Sequence, residues 1–158
     1  IEAAFKQLKA LTPNIKLFAS ESIQAILIDE DAHIGMAWNG DVFKAHEENT
    51  DIQFVFPDDG FLIWVDCLSI LKNAPHPDEA YAFINFLLKA ESASTLALSE
   101  GHAITNQAGR ALLPKNIRDN PTVYPSRDVL KRGVIQSDMS EKSLILYDEY
   151  WQKLKFSF

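Results

Sequence analysis

The chain holds a single cysteine, Cys67, so no disulfide can form within it and no compartment can be read from its redox chemistry. Its six glycines never cluster, which removes the Gly-rich loops that cradle phosphates. Positive charge is in deficit: 15 Lys and Arg stand against 22 Asp and Glu, a net charge of −7. With that balance and no basic stripe, nucleic acid is a poor partner. No stretch approaches the ~20 apolar residues of a membrane-spanning helix. There is no Gly-x-Ser-x-Gly nucleophile turn. His33, His46, His76 and His102 are scattered, with no pair at the i, i+4 spacing of a helical zinc motif. His46 beside Glu47 and Glu48 reads as a solvated helix end, and neither a metal nor a cofactor is expected.

What is present is ordinary for a globular domain: 158 residues, 47% apolar and 23% charged, enough chain for one real core. The first residues read as an amphipathic helix with Ile1, Phe5, Leu8 and Leu11 on one face. A chain that opens inside a helix, without a cap, has the character of a processed or truncated piece. Residues 15–19 alternate like a short strand, and Ser20 or Ser22 then caps a brief helix carrying Ile23, Ile26 and Leu27. Residues 33–38 read as a strand closed by the turn pair Asn39-Gly40, with a helix starting at Asp41 and running to about Glu48. Residues 52–56 read as a third strand. A fourth, over residues 61–70, is opened by Asp58-Asp59-Gly60, and its apolar setting predicts a buried, inert Cys67 thiol.

Beyond this the pattern is helical. Pro77-Asp78-Glu79 is a strong start, since proline suits the first turn and acids favour the positive end of the helix dipole. Ala80, Phe83, Ile84, Leu87 and Leu88 form its core stripe. Further helices are expected over 92–99, ending at Gly101, over 106–113, and from about Ser140 through Leu144, Tyr147, Trp151 and Leu154, with an irregular stretch before Pro125. Strands alternating with helices indicate α/β architecture.

One pattern recurs. Trp38-Asn39-Gly40-Asp41 and Trp64-Val65-Asp66 each place a tryptophan within three residues of an aspartate near the end of an expected strand. In open α/β sheets, ligands bind outside the carboxyl ends of strands. Positions two apart on a strand share a face, so Trp64 and Asp66 would project together. Two indoles can flank an alkyl chain or its ammonium groups, for ~0.5–2 kcal/mol per cation–π contact. Two carboxylates can anchor charged nitrogens through charge-assisted hydrogen bonds. The set suits a linear alkyl amine. It equally suits a sugar, stacked on the rings and hydrogen-bonded to the acids. A third reading pairs Asp41 with Asp66 for the acid–base work of a small hydrolase.

The order of motifs resembles that of the spermidine/putrescine-binding proteins of bacterial polyamine ABC importers, along nearly the whole chain. Its carriers are Gly35-Met36-Ala37-Trp38-Asn39-Gly40-Asp41, then Gly60-Phe61-Leu62-Ile63-Trp64-Val65-Asp66, then the helix from Pro77 to Leu88. Gly101-His102-Ala103-Ile104-Thr105-Asn106, Tyr124-Pro125, Ile135-Gln136-Ser137-Asp138 and Tyr147-Asp148-Glu149-Tyr150-Trp151 follow in the same order. The resemblance implies that Trp38 and Trp64 line an aromatic box around a methylene chain and that Asp66 grips a polyamine nitrogen. Asp41 matches an acid of putrescine-preferring members, and Gln136 an amide that reaches a terminal amine. His102 falls where many members carry Tyr. A protonated imidazole would repel an ammonium, so His102 must be neutral if it meets the ligand.

The family is two-lobed, of the type II periplasmic-binding-protein kind, and roughly twice this length. The resemblance therefore implies mostly the second lobe plus part of the first. Residues 1–65 fall in the second lobe, 66–108 in the first as a crossover strand and helices, and 109–158 back in the second. It further implies a periplasmic receptor working with an importer permease, and not an enzyme. Apolar surface left open by an absent first half would favour self-association or segment exchange in a homodimer.

Overall fold

The computed structural model describes residues 1–157, which fall into two compact units: residues 1–21 together with the segment from Gln136 onward, and residues 22–135. In the first unit, helix α1 (Glu2–Leu11) is followed by a 3-10 turn at Thr12–Asn14, with Pro13 in its first turn. Helix α9 (Glu141–Lys155) packs on α1. Ser140 caps α9, its hydroxyl accepting from the Ser143 N–H at 3.2 Å, which satisfies one of the orphan donors of the first turn. Edge-on aromatic pairs hold the unit: Phe5 on Tyr150 with ring centroids 5.2 Å apart, and Phe18 on Trp151 at 5.0 Å. Leu154 is its buried anchor, while Ile1, Leu8 and Leu11 of the expected α1 stripe stay largely exposed.

The second unit carries helices α2 (Ile23–Ile28), α3 (Asn39–Glu48), α4 (Pro77–Leu87), α5 (Ala90–Glu100), α6 (Gln107–Leu112), α7 (Lys115–Arg118) and α8 (Arg127–Leu130). Strands β1 (Phe61–Ile63) and β2 (Gly133–Ile135) pair in parallel, with Phe61 opposite Gly133 and Ile63 opposite Ile135. A parallel pair needs a long crossover, and here α4 to α8 supply it. The core sits where α3, α5, α6 and α7 meet: Phe43, Ala97, Leu113, Ile117 and Val123, with Ile104 and Tyr124 packed against them. Asn106 caps α6 by accepting from the Gly109 N–H at 2.9 Å, and its amide donates to the Leu88 carbonyl at 2.7 Å, tying α6 to the end of α4. Gly101 ends α5 in the left-handed conformation, φ +74°, that glycine adopts without strain.

The sequence over-reads strand. Residues 15–19, 33–38 and 52–56 have no ladder partner among the described residues, and of 61–70 only the first three pair. Alternating apolar residues favour extended backbone, but a strand also needs a neighbour to take its N–H and C=O groups. The apolar alternation of 33–38 leaves Ile34 and Met36 almost wholly exposed. Asn39-Gly40 is no turn but the first turn of α3, with extended Trp38 as its N-cap residue. Because residues 64–70 leave the sheet, Cys67 is exposed and not the buried thiol the apolar run suggests. Helix α4 has no buried residue: Ala80, Ile84 and Leu87 are half-buried, whereas Phe83 and Leu88 face outward. His46 is not simply a solvated helix end. It is half-buried, and its Nδ1 lies 2.7 Å from the Ile52 carbonyl oxygen.

Candidate functional site

Five of the six candidate residues lie in the second unit. Trp38 and Asp41 flank the start of α3, Trp64 and Asp66 follow β1 directly, and His102 follows the α5 C-cap. The Trp38 and Trp64 rings are 6.4 Å apart between centroids and tilted by 52°. Both remain open, with 49% and 57% of their surface exposed, so neither indole is consumed by the core. Trp64 Nε1 donates to Asp66 Oδ1 at 2.8 Å. The pair is joined by this bond beyond the strand, and not by sharing a strand face as the alternation suggests.

Asp41 occupies the first turn of α3, where the unpaired backbone N–H groups and the helix dipole favour an anion. Its Oδ1 accepts from the Gln24 amide at 3.2 Å. Neither Asp41 nor Asp66 has a cationic partner among the described residues. The nearest lysine along α3, Lys44, is held by Glu47 at 3.2 Å and by the Leu98 carbonyl at 3.0 Å.

His102 is brought to the same helix start by a close approach. A methyl group on Gly40 would overlap the imidazole, so the ring lies directly on the Gly40 backbone, one residue from Asp41. The loop that carries His102 is fixed from behind. The Ile104 N–H donates to the Tyr124 hydroxyl at 3.3 Å, the Arg110 guanidinium stacks 3.8 Å over the Tyr124 ring, and Arg110 also donates to the Arg118 carbonyl at 2.9 Å. Asn39 donates to the Thr122 carbonyl at 2.7 Å, which pins the start of α3 to the same region. Gln136, the sixth candidate, lies in the other unit and is exposed just after β2.

Sequence reasoning missed Gln24 and Asn39, the two amides that hold the α3 start. Gln24 had a readable signal, as the lone amide in the otherwise apolar hexamer 23–28. Among the described residues, no group of three or more His, Cys, Asp or Glu side chains could hold a metal ion.

Helices around a short parallel strand pair are the architecture of part of a periplasmic solute-binding protein. The chain belongs to the bacterial extracellular solute-binding protein family, whose model matches residues 1–124. Among characterised relatives, it is 38% identical over 155 residues to the spermidine/putrescine-binding periplasmic protein of Escherichia coli K12, covering 98% of this chain and 44% of that protein. It is 30% identical over 151 residues to the putrescine-binding periplasmic protein PotF of the same organism, covering 92% of this chain and 41% of the relative. A solved Listeria monocytogenes structure described as a spermidine/putrescine ABC transporter superposes with a TM-score of 0.90 at 33% identity, over 98% of this chain and 48% of that one. The chain thus spans less than half the length of the relatives it matches, and its fold is that of periplasmic solute-binding proteins.

Proposed function

We propose that this chain forms part of a polyamine receptor of an ABC importer, with putrescine as the first-choice ligand and spermidine the second. The observation that carries the reading is the pair of open indoles, Trp38 and Trp64, with centroids 6.4 Å apart, where Asp66 is bonded to Trp64, Asp41 lies in the helix turn that follows Trp38, and neither acid has a cationic partner among the described residues. Alkyl diamines present what this set lacks: apolar methylenes for the ring faces and ammonium groups for the acids. Each charge-assisted hydrogen bond is worth ~1.5–3 kcal/mol, and each cation–π contact ~0.5–2. Trp38 and Trp64 would flank the chain of methylenes. Asp66 and Asp41 would take ammonium nitrogens, with His102 on the Gly40 backbone next to Asp41. The relatives' names support polyamines over sugars or hydrolysis.

The receptor would act in the periplasm, deliver its ligand to an importer permease and carry out no catalysis. Lobe closure on the ligand would shift the population toward the state the permease recognises. In that two-lobed frame, residues 1–65 and 109–158 belong to the second lobe and 66–108 to the first. The open apolar side chains of α4 and of residues 34–36 favour self-association or segment exchange of this chain by itself. Thermal-shift screening of putrescine, spermidine and neutral oligosaccharides tests the ligand class. Stabilisation by the amines alone supports the reading, and stabilisation by oligosaccharides alone overturns it.

A further inference from the structure

We infer that Gln24 is a positioning residue of the ligand site: its amide holds the Asp41 carboxylate in the orientation that receives an ammonium group. The inference rests on the polyamine reading of the site. Gln24 is the one polar residue of α2, half-buried where α2 packs on α3, and it reaches Asp41 Oδ1 at 3.2 Å across 17 residues of sequence.

The need for such a hold follows from where Asp41 sits. It is the third residue of α3, and the N-cap residue Trp38 offers no side-chain cap, so the first-turn N–H groups are without an intrahelical acceptor. A carboxylate at the third helical position is the one that folds back to satisfy them, as in a capping box. Folded back, Asp41 would spend its lone pairs on its own helix. Gln24 takes one oxygen from the side of α2 and leaves Oδ2 without a protein donor among the described residues. The hold comes from a neutral amide, so the full negative charge stays available to a cation, which a lysine at position 24 would cancel. Half-burial of the amide limits its own freedom, so little rotamer entropy remains to be lost when ligand arrives.

The test is a putrescine titration of the 15N-labelled 158-residue chain by NMR, which reads dissociation constants into the millimolar range. The chains compared are wild type, Gln24→Met, Asp41→Asn and the double variant. Gln24→Met keeps length and helix preference but has no donor. The expected result is an about tenfold weaker affinity in Gln24→Met, as for the loss of one hydrogen bond to a charged group. In the Asp41→Asn background the same change should alter affinity by less than about twofold, because additivity fails only for residues acting through one another. Equal losses in both backgrounds, or no loss in either, would overturn the inference. Should Gln24→Met not fold, the side-chain NH2 signals of Gln24 decide. They are expected to move on putrescine addition in wild type and to stay still in Asp41→Asn, and stillness in wild type while the Trp64 indole signal moves counts against the role. If no wild-type signal moves at any putrescine concentration, it is the polyamine reading that fails, and the inference falls with it.

Discussion

The indole N–H of Trp64 donates to the Asp66 carboxylate at 2.8 Å, so the aromatic and the acid of this pair are one unit and not two independent surface groups. The bond fixes the acid beside the ring while using only one of its lone-pair directions. Trp64 stays 57% exposed, with the Trp38 indole 6.4 Å away between centroids. An asparagine at 66 retains an acceptor for the indole but removes the charge. Asp66→Asn is therefore expected to leave the melting temperature nearly unchanged and to weaken putrescine binding by ~1.5–3 kcal/mol, about ten- to a hundredfold. Titration of both proteins by NMR checks this, and equal affinities would remove Asp66 from the site.

The close approach of His102 to Gly40 makes a separate prediction about architecture. Gly40 is buried, and the imidazole occupies the space a methyl group would need. Gly40→Ala is expected to cost about 1–3 kcal/mol of stability from overpacking, despite alanine's better helix propensity. Much of that loss should return in the Gly40→Ala/His102→Ala double variant, because the obstacle is the ring itself. Urea unfolding of the two variants measures the coupling.

Helices were far more legible in the sequence than strands, for a physical reason. Pro77 with Asp78 and Glu79, Gly101, Asn106 and Ser140 mark helix ends through local chemistry, and α4, α5, α6 and α9 begin or end at them or within two residues of them. Strand formation depends on a distant neighbour. The alternation of residues 33–38 and 52–56 carries no information about one, and β2 was invisible because only pairing with β1 defines it. The candidate residues Trp38, Asp41, Trp64, Asp66 and His102 were legible only as motifs, each within one short stretch. Their supports were not: Gln24, Asn39 and the Arg110–Tyr124 stack act across 14 to 83 residues of chain, beyond any local pattern.

Exposed apolar groups predict how the chain behaves alone. Tyr81, Phe83, Phe86 and Leu88 on and just after α4 are each more than half exposed, as are Ile34 and Met36. Patches of that kind drive association when nothing covers them. Sedimentation velocity over a concentration series is expected to show a mass that rises with concentration, together with binding of an apolar-surface dye. A single monomer boundary at every concentration, without dye binding, would contradict this.

In the proposed receptor, the Trp38 and Trp64 indoles and the Asp41 and Asp66 carboxylates receive an alkyl diamine. The most direct measurement follows the indole N–H signals of Trp38 and Trp64 while putrescine, and separately a neutral oligosaccharide, is added to the labelled chain. Both signals are expected to move saturably with putrescine, less so as salt screens the two acids, and to stay in place with the oligosaccharide. Signals that stay still with putrescine, or that answer the oligosaccharide instead, would contradict this reading.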